Sequence, residues 1–345
     1  MATLTLRNGR IVGDYLAPYV IAELNTSHFG DMAIARAMID KAKEAGCDCV
    51  KFQSWSTQSL YSESYYRQNA IAKRIVHKFS MGEAELQELS IYCTSVGIDF
   101  ASTPYSRAEA AFLVEACNVP FVKIASMELN NLPYLRFLGG LGVPLVLSTG
   151  MGTLEEIVTA VRTIEATGQR DIVILHCTSV YPAPPETIRL QNIVGLRSEF
   201  PAYPIGYSDH SIGIEIPAAS VALGAGVIEK HFTLDSSRIG MDNQMATEPE
   251  EMARMIAACH TVHKALGGTG RILDAAERDQ IPKMRRSLIA ARPLKAGEVI
   301  AAEDLDAKRP GTGIPPGSMD LLIGKRLTRD IEADAAILIT DVEAS

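Results

Sequence analysis

YVIAELNTSHFGDMAIARAMIDKAKEAGCDCVKFQ (19–53) reads as a strand, a helix and a second strand. Its ends, YVIAELN (19–25) and CDCVKFQ (47–53), are short and nearly continuously apolar, the pattern of parallel strands buried on both faces. Between them, MAIARAMIDKAKEAG (32–46) places Ile34, Met38, Ile39 and Ala42 on one helical face, and Gly46 ends the helix. The first run leads into ELNTSHFGD (23–31), which lacks the GxGxxG of a dinucleotide-binding turn. That weighs against a doubly wound open sheet, the main alternative.

Six further runs of the same kind follow: IDFAS (98–102), FVKIAS (121–126), VPLVLSTG (143–150), DIVILHCTS (171–179), YPIGYSD (203–209) and GVIEKHF (226–232). Helical patterns separate them. In TLEEIVTAVRTIEATG (153–168), Thr153 is the N-cap and Glu156 its capping-box partner. Eight β-then-α units in about 250 residues point to an α/β fold, a (β/α)8 TIM barrel. Ahead of it, TLTLRNGRIVG (3–13) reads as a hairpin turning at Asn8-Gly9 and closing the bottom of the barrel. The barrel with its hairpin spans 1–265. A polar, glycine-containing linker is expected over 266–285, and 286–345 reads as a small β-rich module that leans on a neighbour.

The chain has 345 residues, 33 Lys and Arg against 41 Asp and Glu, and a net charge of −8. A nucleic-acid partner is excluded, because such proteins need a basic surface to displace counterions. No apolar run approaches the ~18–20 residues of a membrane helix, and the N-terminus lacks a basic-then-apolar leader. Six sparse cysteines sit mostly inside apolar runs and read as buried thiols, consistent with a cytoplasmic protein.

Barrel chemistry gathers where strands end at their C-termini. Those ends carry Glu23, Lys51, Gln53, Thr103, Lys123, Ser126 and Glu128 in the first half, then Ser148, Ser179, Tyr181, Ser208, His210, Glu229 and His231. His210 and His231 end neighbouring strands. Two imidazoles without a nearby cysteine suit a borderline divalent ion with open positions, or else a hydrogen-bonded pair at the rim. Lys51 and Lys123, ending strands two and four, fall in one side-chain layer and with the Ser and Thr hydroxyls make an anion pocket. A Schiff-base lysine is the competing reading. Glu23 and Glu128 are acid/base candidates. His176 reads as a core histidine, and the long insert around YSESYYRQN (61–69) as a possible cover for the barrel.

IAELNTSHFGD, AGCDCVKFQ, FASTPYS, VKIASMEL, LSTGM, LHCTSVYPAP, IGYSDHS and VALGAGVIEKHFTLD, in this order, resemble the sialic acid (nonulosonic acid) synthase family. The resemblance continues through KAGEVIAAEDLDAKRPGTGI (295–314) into a tail similar to the SAF, or antifreeze-like, domain. It implies condensation of phosphoenolpyruvate with an amino-sugar aldehyde: N-acetylmannosamine or a 2,4-diacetamido-2,4,6-trideoxyhexose, the latter leading to legionaminate or pseudaminate. It also implies a divalent metal, Mn²⁺ ahead of Mg²⁺ or Co²⁺, and a domain-swapped homodimer. By resemblance His210 and His231 hold the metal. Lys51, Lys123, Thr103, Ser126, Ser179 and Ser208 surround phosphoenolpyruvate. Gln53, Glu128, Tyr181 and Asp242 surround the sugar, Glu23 is the strand-one glutamate, and Arg309 reaches in from the partner's tail. This sequence departs from the family at Met127, where many members have Gly, at Ser179, where some have Asn, and in IGMDNQMATEP (239–249), which replaces GPDHKASLEP while keeping Asp242.

Overall fold

The computed structural model describes residues 1–343. In chain order, β1 (Thr3–Thr5) and β2 (Ile11–Gly13) pair antiparallel. Eight parallel strands follow: β3 (Tyr19–Glu23), β4 (Cys49–Ser54), β5 (Asp99–Pro104), β6 (Val122–Ile124), β7 (Leu145–Ser148), β8 (Ile172–Cys177), β9 (Ile205–Asp209) and β10 (Val227–His231). Each apolar run contributes one of them. The ladder order is β5-β4-β3-β10-β9-β8-β7-β6. Its two end strands, β5 and β6, lie against each other, so the sheet is a nearly closed TIM-like barrel.

The helices have the signals expected of them. Asp31 caps Met32–Ala45 by accepting from the Ala33 and Ile34 N–H groups, and Gly46 ends it in the left-handed region at φ 95°. Thr153 and Glu156 form the capping box of Leu154–Glu165. The buried faces of both helices join the large apolar layer between strands and helices. A second apolar cluster fills the lower interior of the barrel. There Leu4, Leu6 and Val12 of the hairpin pack with Tyr19, Phe121 and Val173. The hairpin thus takes the place of solvent at the floor, and buried Asp14 fixes it by accepting from the Ile205 N–H at 3.0 Å.

The insert after β4 forms two helices, Glu63–Gln68 and Ala70–Phe79. It has its own small core of Trp55, Tyr66 and Val76. Two compact units divide the chain after Gly267. In the second, β11 (Ser287–Ala290) pairs antiparallel with β12 (Leu305–Lys308) above a core that includes Leu288, Ile300 and Leu327. Residues 268–285 belong to this unit rather than forming an open linker. They make one-turn helices at Ala275–Arg278 and Ile281–Met284, and the Pro282 carbonyl accepts from the Gly311 N–H at 2.8 Å. Among the described residues no helix is long and apolar enough to cross a membrane.

Candidate active site

Register brings the polar strand ends to one level. Glu23 on β3 lies beside Lys51 on β4 and His231 on β10, and Glu229 lies beside Ser208 on β9. Side chains alternate along a strand, so Glu229 and His231 face the interior while Lys230 between them faces out. Lys230 is accordingly taken up behind the wall, 2.5 Å from Asp209 Oδ2. Above the floor opens a cavity of about 310 Å³.

Its base is a buried charge cluster. Lys51 is ion-paired with Glu23 and donates to Thr103 Oγ1 at 3.0 Å. Lys123 donates to Ser148 Oγ at 2.7 Å. Between the lysines stands Glu229, with Oε1 3.5 Å from Lys123 Nζ and Oε2 3.8 Å from Lys51 Nζ. Ser208 donates to Oε1 at 2.9 Å, while Oε2 is buried without a hydrogen-bond partner among the described residues. Burial pushes the Glu23 carboxyl above its usual range despite Lys51. Burial would also raise Glu229, but Lys123 and Lys51 outweigh it and hold that group low. The two carboxyls are therefore driven apart: Glu229 is the fixed negative charge and Glu23 the one suited to carry a proton. Burial depresses Lys123, whereas in Lys51 the charges of Glu229 and Glu23 overcome burial and raise it.

Beside this cluster the rings of His210 and His231 lie 5.3 Å apart. His210 Nδ1 is 2.8 Å from the Thr178 carbonyl, an acceptor, so Nδ1 carries a proton. Burial would lower this imidazole, but Cys177 and the Thr178 carbonyl outweigh it and raise it, and Nε2 offers its lone pair when the ring is neutral. Burial, together with the His210 charge, holds His231 well below the ordinary histidine value, leaving a neutral imidazole. A divalent ion needs its imidazole ligands neutral, a state His231 already holds and His210 reaches by giving up the proton on Nε2. Among the described residues no third His, Cys, Asp or Glu completes a ligand cluster with them. The pair fits a metal held by two protein nitrogens with its other positions open to oxygen ligands.

Toward the mouth, Gln53 is held at both ends of its amide. Its Nε2 donates to Glu23 Oε1 at 3.0 Å, and its Oε1 accepts from Trp55 Nε1 at 2.7 Å. Asp242 accepts from Asn25 Nδ2 at 2.6 Å, and burial raises its carboxyl. The loop carrying Asp242 is tied down by buried Asn243. That side chain accepts from Thr233 Oγ1 at 2.6 Å and donates to the carbonyls of Asp235 and Arg238 at 2.8 and 2.7 Å. Tyr181 packs against His210 with ring centroids 4.2 Å apart and the planes tilted by 43°, and Ser126 and Ser179 also line the cavity.

One of the residues singled out by sequence stands apart from the lining. Glu128 lies behind it, half-tied by Asn131 Nδ2 at 2.7 Å and raised by burial. Arg309 follows β12 in the second unit. His176 is a packed histidine bonded to the Ile188 carbonyl at 2.6 Å. Leu60 and Tyr61 bring the insert to the mouth. Sequence reasoning had no role for Glu229, Ser148 or Asn243. Glu229 and Ser148 were visible as polar strand ends, but Asn243 had no signal beyond its departure from the family pattern.

A family model described as the NeuB family matches residues 38–271, and one for the SAF domain matches 285–343. The chain belongs to the NeuB family. NeuB relatives of similar length align along nearly all of it. The N,N'-diacetyllegionaminic acid synthase of Legionella pneumophila is 34% identical, covering 96% of each chain. The N-acetylneuraminate-9-phosphate synthase of Homo sapiens is 33% identical over 97% of this chain and 95% of its own. Among solved structures, the N-acetylneuraminic acid synthetase of Leptospira borgpetersenii, in complex with citrate, matches with a TM-score of 0.75 and 33% identity, covering 81% of this chain and 95% of that one. These relatives are synthases of nonulosonic acids.

Proposed function

We propose that this protein condenses phosphoenolpyruvate with an N-acylated amino-sugar aldehyde and water, giving a nine-carbon 2-keto sugar acid and phosphate. The observation that carries the reading is one cavity holding two buried lysines beside two adjacent imidazoles, of which His231 is held neutral. The lysines, with Thr103, Ser148 and Ser208, suit a small molecule with both a phosphate and a carboxylate. A divalent ion on His210 and His231, with Mn²⁺ the proposed one, would supply Lewis-acid polarisation of the aldehyde oxygen.

The new carbon–carbon bond joins carbon 3 of phosphoenolpyruvate to the aldehyde carbon. Water adds at carbon 2, and the carbon 2–oxygen bond to phosphate breaks. Lys51 and Lys123 hold the anionic groups. Glu23 moves the water proton, since burial raises its carboxyl above the usual range and suits it to carry one. Asp242 and Tyr181, on the same lining, orient the sugar. The same reading includes a cytoplasmic homodimer in which Arg309 of each tail serves the partner's cavity.

Phosphate release from phosphoenolpyruvate with Mn²⁺ tests it across N-acetylmannosamine and the 2,4-diacetamido-trideoxyhexoses. Acceptor-dependent release that EDTA abolishes is expected; undiminished turnover in metal-depleted buffer would remove the metal from the scheme. Loss of turnover in His231→Ala is expected as well, and Arg309→Ala should raise the acceptor KM above all. The depressed Lys123 pKa also suits an aldolase that forms a Schiff base. Borohydride trapping of Lys123 together with indifference to EDTA would favour that reading instead.

A further inference from the structure

The two strands that carry the histidines stop pairing just where the histidines stand. β9 and β10 are in register at Ile228–Tyr207, Glu229–Ser208 and Lys230–Asp209, and their ladder ends there, one residue short of His210 and His231. β10 runs on beside β3, with His231 opposite Glu23, but His210 already lies beyond the end of β9. No rung of the ladder therefore fixes the 5.3 Å between the two rings. A clamp of buried side chains stands at that point instead. Asp209 and Lys230 face away from the cavity, on the side where Tyr207 and Ile228 join the apolar layer between strands and helices. Lys230 Nζ donates to Asp209 Oδ2 at 2.5 Å and to the Ser211 carbonyl at 2.7 Å. It thus grips the chain on both sides of His210 while itself preceding His231. Asp209 uses both oxygens: Oδ1 accepts from the Tyr207 hydroxyl at 2.8 Å and the Ser211 N–H at 2.9 Å, and Oδ2 also accepts from Ser211 Oγ at 3.0 Å.

We infer that Asp209 and Lys230 are positioning residues for the divalent ion: their pairing behind the wall keeps His210 and His231 close enough to share it. The inference rests on the metal proposed above and adds what sets its affinity. A buried ion pair adds little stability beyond what a well-packed apolar pair would give, and its best-attested use is to fix register. Here register decides the site, because a one-residue slip of β9 against β10 would turn a histidine into the apolar layer. Neither Asp209 nor Lys230 lines the cavity, so both act only through the backbone beside the histidines. Lys51 and Lys123 stand on β4 and β6 and do not depend on the clamp.

The test is Mn²⁺ binding to the metal-free full-length protein, read from the loss of the free-ion electron paramagnetic resonance signal, alongside urea unfolding. The variant combines Asp209→Asn with Lys230→Met. It removes both charges together, so neither is left unpaired, and the asparagine oxygen can still accept from Tyr207 and Ser211. Its urea midpoint is expected to stay close to that of the native protein while the Mn²⁺ Kd rises about 10-fold or more. Native-like Mn²⁺ binding by the double variant overturns the inference and leaves the metal reading standing. If the double variant loses stability together with affinity, or does not fold, Tyr207→Phe decides, since it removes one hydrogen bond to Asp209 and keeps the ion pair. A raised Mn²⁺ Kd in that variant, measured where it is fully folded, supports the clamp, and an unchanged Kd overturns it. Failure of the native protein to bind Mn²⁺ overturns the metal reading itself and the inference with it.

Discussion

Glu229 Oε1 stands 3.5 Å from Lys123 Nζ, both groups being buried. Burial already depresses Lys123, and Lys51 nearby adds to that, while Glu229 is the strongest influence keeping the proton on. An isosteric Glu229→Gln change keeps the shape and removes the charge. Lys123 should then shed its proton at lower pH, and a neutral amine holds an anion poorly. The expected result is a phosphoenolpyruvate KM raised about ten-fold or more, equivalent to about 1.4 kcal/mol, with the acceptor KM little changed. A lysine is protonated below its pKa, so the defect should be larger at about pH 8.5 than at about pH 6.5. Steady-state kinetics in both substrates at the two pH values decide it. An equal rise in both KM values would mean that the residue is only structural.

The eight strands were legible because apolar runs buried on both faces leave a continuous signature. So were the caps at Thr153 and Gly46, whose signals are local. The role of Glu229 was not, although the residue was visible at a strand end. Its partners come from β4 and β6, far away in the chain, and only closure of the barrel brings them together. Glu128 looked equivalent in sequence, yet the turn Ser126–Glu128 directs it behind the lining and toward Asn131. The segment 268–285 looked like a linker because it is polar and glycine-containing. Its compactness comes from contacts with residues further on, such as Gly311, that no local pattern announces.

Gly150 is a backbone position where space is the constraint. A Cβ there would run into Ser179 Oγ and lie 2.8 Å from Ser126 Oγ and 3.2 Å from Cys177 Sγ. The Gly150 N–H also donates to Ser126 Oγ at 3.0 Å. Gly150→Ala must therefore displace both serine hydroxyls from the cavity wall. We expect a phosphoenolpyruvate KM raised roughly 10-fold or more, with a stability loss of about 1–3 kcal/mol from overpacking. Kinetics alongside a thermal melt separate the two effects. A KM that stays put would show that neither serine contacts the substrate.

Asn243 works through its neighbours. Its three hydrogen bonds close the loop that presents Met241 and Asp242, and the side chain is buried. Asn243→Ala leaves the Thr233 hydroxyl and two carbonyls without this partner, at a cost of about 1–3 kcal/mol. The acceptor kcat/KM should fall about ten-fold or more while the phosphoenolpyruvate KM holds, because the lysine cluster lies on other elements. Urea unfolding together with acceptor kinetics measures both. A variant that loses stability but keeps acceptor kinetics would show that Asp242 needs no such support.

His28 predicts how the fold responds to acid. Burial lowers its pKa to about 4 from an ordinary value of 6.5. The Gly30 N–H donates to His28 Nδ1 at 3.0 Å, so Nδ1 must stay unprotonated in the folded chain. Unfolded chains bind the proton more readily, and stability therefore rises with pH across this interval. The stabilisation is fully present above about pH 6.5 and is lost as pH falls toward 4, amounting to about 3 kcal/mol if the whole shift is realised. His28→Asn can still accept from the Gly30 N–H but cannot titrate. Many carboxylates also protonate near pH 4, so the informative quantity is the difference between native and variant proteins in urea-unfolding free energy across this range. That difference should shrink or reverse in favour of the variant as pH falls from about 7 to about 4. Parallel curves over the whole range would mean that His28 keeps an ordinary pKa and is not the acid-sensitive point of the barrel mouth.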